Sequence, residues 1–243
     1  MARDIGDHEH GTAAIRKRLE AGARPGYLRD WIYGAIDGAV TTFAIVAGVI
    51  GADLSARIVL ILGCANLLAD GFSMAAANYS GTKAEHDEAE RLRAIEARHI
   101  RENPEGERRE IREIYRSKGF EGDALDQAVE VTSADENRWI DFMLVEEYGQ
   151  PPVLREPMTA ALVTFAAFVA AGAMPLLPFL FLQENAAPAA LALTGATFFV
   201  TGAAKSRFST RHWCRDGLET LAIGLAAAAV AYGVGWLLHG IGS

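Results

Sequence analysis

Two apolar stretches early in this 243-residue chain, 31–51 and 58–79, are long enough to cross a bilayer, yet both hold groups that lipid disfavours. About 20 apolar residues in a helix span the hydrocarbon layer. Asp37 lies near the middle of the first stretch, and Asp70 and Met74 lie in the second. An ionisable side chain at that depth is costly and marks a path for something polar. The next segment is not a third span but a run crowded with glutamate, 81–150. The chain therefore joins an acidic cation trap to a polar thread through a membrane.

Further apolar runs at 158–182, 188–204 and 217–239 complete five predicted spans, the last with Asp216 as its N-cap. A soluble five-helix bundle is excluded, because spans with almost no charged face would have no side to show to water. The predicted class is all-α: a polytopic membrane protein with five transmembrane helices and a cytoplasmic helical metal-binding insert. Its parts are an amino-terminal arm at 1–30, spans at 31–80, the insert at 81–150, and spans at 151–243. A short interfacial helix is expected at 12–23.

Charge sets the orientation. The arm carries Arg16, Lys17, Arg18, Arg24 and Arg29, and the loop before the last span carries Lys205, Arg207, Arg211 and Arg215. The opposite connections hold only Arg57. The positive-inside rule then puts the amino terminus and the insert in the cytoplasm. With no cleavable leader read in 1–30, a bacterial inner membrane is the expected location. The insert has 19 Asp and Glu against 11 Lys and Arg, so the net charge of −8 is a local property. It attracts cations, and no basic face stands out for nucleic acid. Two cysteines make no disulfide framework, and Cys64 reads as buried in its span.

Breaks and caps refine the pattern. Gly34 and Gly38 are four apart, a close-approach spacing for helices of one protomer or of two. Pro175 and Pro178 should loosen the end of the third span. The second span is expected to continue through 85–101 as one long helix or two abutting ones, until Asn103-Pro104 stops it and starts another, with Asn as N-cap and Pro in the first turn. That helix should end at Gly119; Ser133 and Glu136 have the spacing of a capping box opening the last helix, which Gly149 ends.

Glu96 and His99, three apart, project from one helix face. Glu107 and Glu110 repeat the spacing on the next helix, Glu113 extends it, and a turn at Pro104 can fold the two faces together. Glu146 and Glu147 close the last helix near Met143. Carboxylates with an imidazole suit Fe²⁺, Mn²⁺, Co²⁺ or Zn²⁺. The competing reading is a set of solvated, Arg-paired acidic faces. In the second span Asn66, Asp70, Met74 and Asn78 form one stripe, where a thioether beside a carboxylate favours a transition metal over Mg²⁺ or Ca²⁺. Asp37 could take and release a proton as metal passes.

These residues carry a resemblance. Asp37-Gly38, the run Ala69 to Met74, Asn103-Pro104-Glu105-Gly106-Glu107, Glu110-Ile111, Ile114-Tyr115, Lys118-Gly119, Asp141-Phe142-Met143 and Glu146-Glu147, in this order around the spans, resemble the vacuolar iron transporter family. The resemblance covers nearly the whole chain. It implies a homodimer, not an enzyme, that exports Fe²⁺ and often Mn²⁺ from the cytosol in exchange for protons, along a path between protomers. It places Asp37 and Met74 on the membrane metal positions, and Glu96, Glu107, Glu110, Met143 and Glu147 on those of the insert. No prosthetic group is implied. Two positions depart from the family pattern: His99 stands where glutamate is usual, and Leu144 where a second methionine is common. The alternative is a membrane-anchored ferroxidase using the single Glu-x-x-His motif at Glu96 and His99, of which a di-iron bundle would need two. A sensor with inert anchors is disfavoured, since anchors have no use for intramembrane carboxylates.

Overall fold

The computed structural model describes residues 11–22, 25–182, 184–206 and 211–239. Arg24 and Arg207, counted above for orientation, and Ala23 of the expected arm helix lie outside them. The described residues form helices and connections, without strands. They divide into two compact units, 27–84 with 155–243, and 1–26 with 85–154.

The first unit is built on α2 (Leu28–Gly51); α1 (Thr12–Glu20), with no buried residue, belongs to the other unit. Helix α2 packs most extensively on α7 (Pro157–Ala173), and also on α9 (Ala186–Lys205) and α10 (Trp213–Leu238). Lipid removes the usual hydrophobic drive between helices, so close van der Waals contact and small residues decide this packing. A Cβ on Gly34 would stand 2.4 Å from the Thr164 carbonyl oxygen, and one on Gly38 2.3 Å from that of Phe168. The two glycines thus serve contact within one protomer. Around them Ala35, Ala39, Phe43, Val46, Phe168 and Phe198 form the core.

Helix α3 (Ala56–Glu102) is unbroken, which decides between the one long helix and the two abutting ones left open above, with 56–84 in the first unit and 85–102 in the second. Its inward stripe in the first unit is Gly63, Leu67, Gly71 and Ala75. That register leaves Cys64 exposed, which corrects the expectation of burial: the residue lies one position off the packed face.

Helices α2, α3, α9 and α10 are long and apolar enough to span a membrane, so the protein is an integral membrane protein. The predicted third span is interrupted. Helix α7 has 17 residues, and after a turn at 174–176 the chain resumes as α8 (Leu177–Phe181), with Pro178 in its first turn. Proline removes a backbone donor and clashes with the preceding turn, which explains the break at Pro175 and Pro178.

Two predicted caps move. Helix α10 starts earlier than expected, capped by His212, whose Nδ1 accepts from the Cys214 backbone N–H at 3.4 Å. Asp216 instead falls in the first turn and is buried, because its backbone lies against α9; a Cβ on Gly202 would be 2.5 Å from the Asp216 carbonyl oxygen.

The second unit holds the end of α3, then α4 (Pro104–Ser117), α5 (Gly122–Ser133) and α6 (Glu136–Glu146). Asn103 caps α4 as expected, its Oδ1 accepting from the Gly106 N–H at 3.1 Å. Gly119 and Gly149 follow α4 and α6 with φ of 90° and 66°, a region costly for other residues. The cap of α6 is Asp135, accepting from the Arg138 N–H at 2.8 Å, and not Ser133. Ser133 remains the last residue of α5, where its hydroxyl donates to the Glu130 carbonyl. Leu92, Ile100, Ile111, Leu125, Val129, Trp139, Ile140, Met143 and Leu144 make the core of this unit.

Candidate metal centre

The Asn103 cap reverses the chain, so the last turns of α3 meet the first turn of α4. Glu96 and Glu107 are thereby buried, at 1% and 5% exposure, in a surface otherwise rich in exposed acids. His99 Nδ1 lies 3.8 Å from Glu96 Oε1 and 3.6 Å from Glu107 Oε1. One ligand atom from each of the three residues falls within 4.8 Å of the others. Oε2 of Glu96 and Oε2 of Glu107 are buried without a hydrogen bond. Removing an ionised carboxylate from water without a partner is so costly that the group gains a proton or a cation.

Electrostatics agree with this geometry. Burial first, then the charges of Glu110, Glu96 and Glu147, push the Glu107 carboxyl from 4.5 up to about 7. Glu147 is also raised, by burial and then by Glu96 and Glu110, against a lowering from His99. Tyr148 donates its phenol to Glu96 Oε1 at 2.7 Å; burial and then Glu96 hold that phenol above its ordinary range. Glu96, His99 and Glu107 thus form one locus, to which the exposed Glu110 and Glu147 add their negative charge.

The solvated-face reading fits other acids of the same unit. Glu113 pairs with Arg116, Glu105 with Arg108, Asp126 with Arg112, Asp141 with Arg93, and Glu146 with Lys118 at 2.7 Å. Glu113 and Glu146 are therefore engaged outside the cluster, with exposed or half-exposed side chains. Met143 is fully buried in the apolar core, one helical turn before Glu147, and Leu144 packs in the same core.

In the first unit Asp37, Asp70 and Met74 are all half-buried. Met74 packs against the apolar core a turn beyond Asp70. Asn66 has a buried Nδ2 without a partner. Asn78 is differently placed. Its Nδ2 donates to Asp30 Oδ1 at 2.9 Å and to Thr164 Oγ1 at 2.7 Å, and its Oδ1 accepts from Thr82. Its amide is spent on holding α2, α3 and α7 together.

That network includes two residues missed in the sequence. Asp30, 2% exposed, pairs with Arg155 at 2.5 Å. The available signal was an acid and a base just before the starts of two apolar runs, but many such charges face water.

Comparison with known proteins gives one consistent result. The VIT family matches residues 28–236. The chain is 35% identical over 225 residues to a protein of Toxoplasma gondii named vacuolar iron transporter, covering 88% of this chain and 74% of the relative. It is 33% identical over 208 residues to vacuolar iron transporter 1 of Arabidopsis thaliana, covering 84% and 83%. A vacuolar iron transporter of Plasmodium falciparum is 28% identical over 223 residues, covering 87% and 82%.

Proposed function

This chain belongs to the VIT family, and on that premise we propose that it exports Fe²⁺, and also Mn²⁺, from the cytosol in exchange for protons. The observation that carries the proposal is the pair of buried carboxylates, Glu96 and Glu107, each with an unpartnered oxygen, closing on His99. Such a mixed oxygen and nitrogen set suits a divalent transition metal.

In this reading Glu96, His99, Glu107, Glu110 and Glu147 collect the ion. Glu107, titrating near 7, exchanges a proton for metal at cytosolic pH. The ion sheds water stepwise and passes to Asp37 and Met74, with Asp70 beside them, before leaving on the far side. Met143 contributes sulfur only if its core packing yields. Five crossings, counting α7 with α8 as one, keep the amino terminus and the insert in the cytosol. A homodimer supplies the walls of the path. In a plasma membrane this direction clears metal from the cell, and in a vacuolar membrane it stores it. The relatives' names do not favour the ferroxidase alternative.

The test is purified protein in liposomes with an imposed proton gradient and Fe²⁺ or Mn²⁺ detected by an internal dye. Metal flux that follows the gradient and disappears in Asp37→Ala is the expected result. Flux that ignores both would reject the proposal.

A further inference from the structure

Tyr148, in the turn after α6, reaches a carboxylate 52 residues earlier in the chain. Its phenol donates to Oε1 of Glu96, while Oε2 of the same group is buried and accepts from nothing. The two oxygens of one ligand are therefore unequal before any ion arrives. A carboxylate can grip a cation through one oxygen or through both. Gripping through both weakens or displaces the phenol's bond, because Oε1 must then share its electron density with the ion.

We propose that Tyr148 is a specificity-determining residue, which by holding Oε1 keeps Glu96 from gripping an ion through both oxygens and so favours compact transition-metal ions over Ca²⁺. The proposal rests on the reading that the cluster of Glu96, His99 and Glu107 binds metal. Ca²⁺ takes six to eight oxygens and is often held by carboxylates using both oxygens. Fe²⁺ and Mn²⁺ accept fewer, mixed ligands, which one oxygen each from Glu96 and Glu107 with the His99 nitrogen can supply. Groups that orient a ligand from behind typically change metal affinity by about 10- to 100-fold when removed. Tyr148 is thus a positioning residue acting through Glu96.

The experiment uses the full chain in detergent, with Mn²⁺ as the probe read by electron paramagnetic resonance and Ca²⁺ as the competitor. Tyr148→Phe should weaken Mn²⁺ binding by about 10-fold or more. It should also narrow the ratio of Ca²⁺ to Mn²⁺ dissociation constants by a similar factor. Unchanged affinity and ratio, or equal losses for both ions, overturn the proposal. Glu96→Gln separates the two levels: it must remove the same class of bound Mn²⁺. If Glu96→Gln removes it while Tyr148→Phe changes nothing, the metal site stands and the role of Tyr148 falls. If Glu96→Gln changes nothing, both fall. Infrared difference spectra of Mn²⁺ binding, wild type minus Glu96→Gln, give an answer that does not depend on folding of Tyr148→Phe. A wide splitting of the Glu96 carboxylate bands supports one-oxygen binding, and a narrow splitting overturns it.

Discussion

Nδ1 of His99 stands 3.6 Å from Oε1 of Glu107, although the two residues belong to different helices separated by the Asn103-Pro104 turn. The approach depends on one side-chain cap. Asn103→Ala should cost about 1 kcal/mol of stability, the usual loss for an N-cap. It should also weaken Mn²⁺ binding, since α4 then frays at the turn that carries Glu107. Metal titration of the full chain would show it; unchanged affinity would mean that the core holds α4 without its cap.

The raised Glu107 carboxyl predicts two opposite pH dependences. Between pH 4.5 and about 7 an unfolded chain has lost this proton while the folded one keeps it. The stability that Glu107 contributes without metal is therefore complete below 4.5 and declines as the pH rises through 7. Metal binding runs the other way, strengthening from pH 6 to 8 as the ligand gives up its proton. Melting of metal-free protein across this range, beside Glu107→Gln, checks the first trend: the substitution should flatten it. Affinity measured at the same pH values checks the second.

Acids of similar spacing should differ in effect. Glu113→Gln removes an exposed partner of Arg116, a pair worth at most about 1 kcal/mol, and should leave Mn²⁺ affinity unchanged. Glu107→Gln should abolish that binding. Equal effects from both would return the insert to a solvated acidic surface.

The buried pair of Asp30 and Arg155 should be structural. Asp30→Ala takes away the carboxylate that both Arg155 and Asn78 address, and a loss of about 3–5 kcal/mol is expected. Adding Arg155→Ala should recover part of it, because the guanidinium no longer faces an empty site. Melting temperatures of the two single variants and the double one give the coupling; simple additivity would count against it.

Gly38 and Gly81 offer a paired test of packing in α2 and α3. Gly38→Ala drives a methyl group to 2.3 Å from the Phe168 carbonyl oxygen and should destabilise by about 1–3 kcal/mol. Gly81→Ala meets nothing within 4 Å and should stabilise its helix by up to about 1 kcal/mol. Detergent-unfolding midpoints would move in opposite directions.

Some of this was legible in the residues alone. The long apolar runs, the helical continuation of the second span into 85–101, the proline break after α7 and the Asn103-Pro104 start of α4 all follow from local chain chemistry, which needs no partner. The shared face of Glu96 and His99 is likewise set by helical repeat, as is the stripe from Asn66 to Asn78. Helical repeat does not say which way a face is turned. Glu107 and Glu113 sit on one helix with basic neighbours, yet the former is buried beside a half-exposed His99 and the latter pairs in solvent with Arg116. Cys64 was misjudged for the same reason: exposure depends on the angle at which a helix meets its neighbours. The bonds from Tyr148 to Glu96 and from Asn78 to Asp30 join residues about 50 positions apart, beyond the reach of any local rule. Composition and spacing thus determined what each helix is and which side chains travel together along it. Only packing in three dimensions decided which of those side chains lost their water, and that loss is what turns a carboxylate from a surface charge into a ligand.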